Sequence, residues 1–149
     1  MKRLFYPVLI PVFLCCAIFQ VAAASDSSPA TSDDLDYAQV VFVRAFAQEK
    51  DVWRFEVTVR HNDEGWDHYA DLWQVVEHVS GSVIAERVLA HPHETEQPFT
   101  RGFGDIDIPK GTSVVYVRTR CNGRGYGGRE VLSDLNVKKG NGFAVNRTH

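Results

Sequence analysis

Cysteine is scarce in this chain, and its placement makes it scarcer. Of the three cysteines, Cys15 and Cys16 lie in an apolar N-terminal stretch, so beyond residue 24 only Cys121 remains. A lone thiol forms no intramolecular disulfide, and a fold without that staple must be held by its core. Basic residues are also thin, with 16 Lys and Arg against 19 Asp and Glu. No Lys/Arg run breaks that balance, which argues against nucleic acid or an anionic membrane as partner. No segment carries a clean helical stripe of apolar residues, so amphipathic helices are not expected. There is no Gly-x-Ser-x-Gly elbow, no glycine-rich phosphate loop and no His-Glu-x-x-His, and no internal repeat. A Cys121–histidine nucleophile pair would lack any recognisable oxyanion hole. The sequence therefore gives no positive reason to read an enzyme.

The N-terminus reads as a secretory signal. Lys2 and Arg3 precede an apolar run from Leu4 to Val21, and Ala22-Ala23-Ala24 leads into Ser25-Asp26-Ser27-Ser28. Pro7 and Pro11 argue against a stable spanning helix. Cleavage is expected after Ala24, giving a periplasmic or secreted protein with no membrane segment. A lipid anchor on Cys15 or Cys16 is disfavoured, because Leu14 and Cys15 stand where a small residue is needed. Without the first 24 residues, the balance is 14 basic to 19 acidic, a net of −5.

Residues 25–36 are rich in Ser, Asp, Ala, Thr and Pro and read as a disordered leader. Residues 138–149 read as a loose polar tail, where the triplet Asn146-Arg147-Thr148 carries little weight. Between them, short β-rich runs alternate with turn signals over 37–47, 52–61, 68–79, 83–90, 99–108, 112–121 and 129–137. The second run alternates best: Trp53, Phe55, Val57 and Val59 on one face, Arg54, Glu56, Thr58 and Arg60 on the other. Seven strands in a domain spanning 37–137 predict an all-β, immunoglobulin- or fibronectin-III-like sandwich, with Trp73 buried on the third strand. The phase of the third and fourth strands stays open, because apolar residues fall on both registers.

Strands that run up and down bring alternate loops to one end. By that reasoning the loops at 62–67, 91–98 and 122–128 meet, and with them His61, His68, His91, His93 and Cys121. Imidazole nitrogen and thiolate sulfur are the donors that hold copper or zinc. His91-Pro92-His93, if extended, places both rings on one side. His61 is in phase with the buried face of its strand, and Cys121 is in phase with Val115, Val117 and Thr119. Asp67 is expected to orient a ring by accepting its free N–H. If the third strand takes the other phase, His68 turns to solvent. The competing reading makes these histidines surface or capping residues, Cys121 an inert core residue and the loop acids solvated charges. Trp66 and Tyr126, flanked by glycines on two of the same loops, define a second candidate: a metal-free surface for a protein partner in the periplasm, or for a glycan.

The segments Gly65-Trp66-Asp67-His68-Tyr69-Ala70-Asp71, Leu89-Ala90-His91-Pro92-His93, Gln97-Pro98-Phe99-Thr100-Arg101 and Gly125-Tyr126-Gly127-Gly128 resemble those of small exported bacterial proteins of uncharacterised function. The resemblance implies export and a compact β domain, and it implies no activity.

Overall fold

The computed structural model describes residues 34–49 and 51–147. The signal segment and most of the leader lie outside the described residues. Within them there is no helix, and so none long and apolar enough to cross a membrane. The chain forms nine strands: β1 (Gln39–Ala47), β2 (Val52–Arg60), β3 (Ala70–Glu77), β4 (Val83–Val88), β5 (Phe99–Asp107), β6 (Val114–Cys121), β7 (Val131–Asp134), β8 (Lys139–Gly140) and β9 (Phe143–Arg147).

These strands make two sheets, one ordered β5-β2-β1-β9-β8 and the other β4-β3-β6-β7. Period-two alternation explains why they form and how they face each other. On β2, Trp53, Phe55, Val57 and Val59 are all buried while Arg54 and Arg60 face out. On β6, Val115, Val117, Thr119 and Cys121 point inward from the opposite sheet. Trp73 is fully buried on β3, with its ring edge-on to Phe103 at 6.4 Å between centroids. β3 does not alternate: Leu72 through Val76 are all buried, and a register shift falls between Val75 and Val76 in its pairing with β4.

The C-terminal segment departs from expectation. Residues 138–149 read as a loose tail, yet β9 pairs in parallel with β1, matching Val43 to Phe143 and Ala47 to Arg147. Phe143 and Val145, two residues apart, turn the same face into the core and are buried. A short alternating Phe-Ala-Val is enough to dock a strand when a neighbouring edge is open to receive it. The chain thus has nine strands among the described residues, not seven.

Candidate metal centre

β2 and β6 belong to different sheets and end at the same edge of the core. His61 directly follows β2, and Cys121 closes β6. Both continue the inward phase of their strands, and both are buried. The 62–69 loop brings the third member. It is closed by Glu64 N–H donating to the His68 carbonyl at 2.8 Å. Asn122 ties it to the neighbouring loop, donating from Nδ2 to the Trp66 carbonyl at 2.8 Å and accepting the Tyr69 N–H at 2.9 Å. Gly123 leaves room for the imidazole, since a Cβ there would lie 3.0 Å from His68 Cδ2.

The outcome is a cluster of His61, His68 and Cys121 whose ligand atoms all lie within 4.8 Å of one another. Donors at metal-bond lengths of about 2.0–2.3 Å sit about 3.3–3.8 Å apart around one ion, somewhat closer than the 4.8 Å span of this cluster. The His61 and His68 rings meet edge-on at 4.7 Å between centroids.

Asp63 sets the chemistry of His61. It accepts the Nδ1–H of His61 at 2.6 Å on Oδ1, the Ala70 N–H at 3.1 Å on the same oxygen, and the His93 N–H at 2.6 Å on Oδ2. Burial pushes its carboxyl up, but these hydrogen bonds, His61 first, outweigh burial and hold it below the ordinary aspartate value. With Nδ1 committed to Asp63, Nε2 of His61 is left buried and without a hydrogen-bond partner among the described residues. A carboxylate behind an imidazole whose other nitrogen is free is the arrangement that orients metal-binding histidines.

The expected residues divide. His61, His68 and Cys121 come together; His91 and His93 stand outside that cluster. His93 is buried, stacked on Phe99 at 3.8 Å and 11°, with neither ring nitrogen hydrogen-bonded among the described residues and Nδ1 4.0 Å from Asp63. Burial, reinforced by Arg101 and His91, pushes its pKa below the ordinary value, against the opposing pull of Asp63 and Glu96. His91 is exposed, its ring 4.5 Å from that of His93 and its Nδ1 donating to the Pro92 carbonyl at 3.0 Å. Residues 91–93 form no strand, yet the two rings still meet, tilted by 34° to each other. Asp67 is exposed and orients no ring; Asp63 takes that part. Its signal was present in the sequence, because His61-x-Asp63 continues the inward phase of β2, but a charged loop residue reads as solvated. Trp66 is 66% exposed and packs edge-on against Tyr69 at 5.8 Å. Tyr126 is partly exposed, with the Arg118 guanidinium 4.2 Å above its ring.

No known protein family's profile matches the chain, and neither does any solved structure. The chain is similar to a Halomicrobium mukohataei protein named "Putative lipoprotein", 39% identical over 113 residues, which cover 76% of this chain and 55% of that protein. The chain therefore spans about half the length of the curated relative it matches.

Proposed function

We propose that this is an exported β-sandwich protein that binds one transition-metal ion, copper or zinc, through His61, His68 and Cys121. The observation that carries the reading is the buried, unpartnered Nε2 of His61, a ring backed by Asp63, in a residue that shares a 4.8 Å cluster of ligand atoms with His68 and Cys121. A buried polar atom without a partner is costly, and a cation shared between three donors would supply one. The basic, apolar and small-residue segments of residues 1–24 support export to the periplasm or beyond, in keeping with a relative whose name includes lipoprotein. The sheet order supports a sandwich of the immunoglobulin or fibronectin-III kind, extended by the β8–β9 hairpin on the edge of β1.

The test is metal content of the full chain, expressed without a polyhistidine tag and purified from its native compartment. Elemental mass spectrometry is expected to find close to one copper or zinc per chain. His61→Ala and Cys121→Ser should lose it, while His91→Ala keeps it. Metal absent from the wild type, or unchanged in both ligand variants, overturns the reading.

A second reading rests on Trp66, whose exposure is unusual for so large an apolar ring. Trp66 and Tyr126 would then form a contact surface for a protein or a glycan. It requires that Trp66→Ala with Tyr126→Ala abolishes partner capture while the histidine variants leave capture intact.

A further inference from the structure

The donor set discriminates between metals. Resting on the metal reading above, we infer that the ion is monovalent copper, held by three ligands and admitted past His68.

Among the described residues the cluster consists of two imidazoles and one thiol. Zinc takes four ligands in structural sites, and in catalytic sites three plus an open position filled by water. Here two of the three donors lie in the core: the side chain of His61 has no solvent exposure, and Cys121 is 0% exposed. A water ligand at that depth needs polar partners of its own. The buried carboxylate nearest the cluster, Asp63, is already engaged by the ring of His61 and the amides of His93 and Ala70. Thioether is lacking too, since Met1 is the only methionine. A soft ion that accepts thiolate and imidazole at low coordination number fits this set, and copper(I) is that ion.

The approach lies on the side of His68. It is the only member of the cluster that reaches solvent, with 18% of its side chain exposed. It lines a cavity of about 430 Å3 together with Asp36, Glu64, Gly123 and Arg124. Arg124 is paired with Asp36 at 3.0 Å, while Glu64 lies 3.7 Å from Nδ1 of His68. Among the described residues the mouth thus offers two carboxylates against one guanidinium, with Nε2 of His68 held only by a 3.4 Å hydrogen bond to the Asp36 carbonyl. An incoming cation meets His68 first, and the buried pair of His61 and Cys121 then completes its coordination.

The full-length, untagged protein, kept anaerobic and reduced, is titrated with copper(I) supplied from bicinchoninate and with zinc(II) supplied from a zinc chelator. One copper(I) per chain is expected, with X-ray absorption showing two nitrogen neighbours and one sulfur. Equimolar zinc(II) should displace a negligible fraction. Cys121→Ser is expected to weaken copper(I) binding by more than about 100-fold, beyond the loss typical of residues that only support a ligand. Because Cys121 is buried and its replacement can unfold the chain, His68→Gln at the partly exposed position is the second variant. It should keep the circular dichroism spectrum and weaken copper(I) by about 10-fold or more. Zinc(II) holding the site against equimolar copper(I), or a fourth donor in the copper spectrum, overturns the copper inference and leaves the metal reading standing. Failure of both ions to bind overturns both.

Discussion

The Asp63 carboxylate lies 2.6 Å from Nδ1 of His61, and neither side chain reaches solvent. The same carboxylate caps the backbone of His93 and Ala70, so one charge joins the end of β2, the start of β3 and the 91–98 loop. Removing it leaves several buried donors unpaired at once. Asp63→Ala is expected to cost about 3–5 kcal/mol in urea unfolding, as for other broken buried pairs. Asp63→Asn keeps an acceptor and should cost about 1.5–3 kcal/mol. If the cluster holds a metal, Asp63→Asn should also weaken binding by about 10–100-fold, through loss of the negative charge behind Nδ1. Unchanged stability in both variants would rule out the hub role.

His93 makes the fold sensitive to mild acid. Burial on Phe99 holds its folded pKa below the ordinary value of 6.5, so the unfolded chain takes up the proton first as pH falls. Its contribution is therefore fully present above about pH 6.5 and is lost progressively below it, toward the lower folded value. The melting temperature of the metal-free protein should fall between pH 7 and pH 5, about where an ordinary histidine titrates. His93→Phe, which keeps an aromatic partner for Phe99, should flatten that slope. An equally steep profile in the variant would remove His93 as the cause.

β9 is a structural strand, and a substitution there should show it. Phe143 is 7% exposed and pairs with Val43, so Phe143→Ala is expected to cost about 3–5 kcal/mol in denaturant unfolding. Val137, 46% exposed just before the hairpin, serves as the control, and Val137→Ala should stay within about 0.5 kcal/mol. Equal, small effects at both positions would return this segment to a loose tail.

Gly128 is needed for a close backbone approach. A Cβ there would lie 1.8 Å from the Ala38 carbonyl oxygen, next to the 2.9 Å hydrogen bond from Val40 N–H to the Arg129 carbonyl. Because the obstacle is backbone rather than a side chain that can swing away, Gly128→Ala should cost about 2–3 kcal/mol or more in thermal unfolding. Gly111 has open space around it and only its φ of +89° to defend, so Gly111→Ala should cost about 1–2 kcal/mol. A reversed order of the two would contradict the packing at Ala38.

Much of this architecture can be read from local pattern, because strand alternation is a local property. Trp53, Phe55, Val57 and Val59 announce the buried face of β2 by spacing alone, and the phase carries on to His61 and Asp63. Cys121 follows from Val115, Val117 and Thr119 by the same rule. The up-and-down order of strands is likewise enough to bring the loops of His61, His68, His93 and Cys121 to one end. Where apolar residues occupied both registers, on β3, the pattern was silent, and Leu72 through Val76 are all buried.

What only the tertiary structure decided concerns side chains whose environment is built from distant segments. His91 and His93 are equivalent in sequence, yet one faces solvent and the other stacks on Phe99, because the 91–98 loop is pinned by Asp63 and Gln97 rather than extended. Asp63 and Asp67 are likewise two acids of one loop. Asp63 is drawn inside because three donors from separate elements compensate its burial, and Asp67 has no such set. Phe143 and Val145 gained a strand because β1 had a free edge, which no local signal records. Periodicity, a property of neighbours in the chain, was fixed by the residues themselves. Burial of charge and the docking of an edge depend on compensating groups far along the chain, and folding alone brought those together.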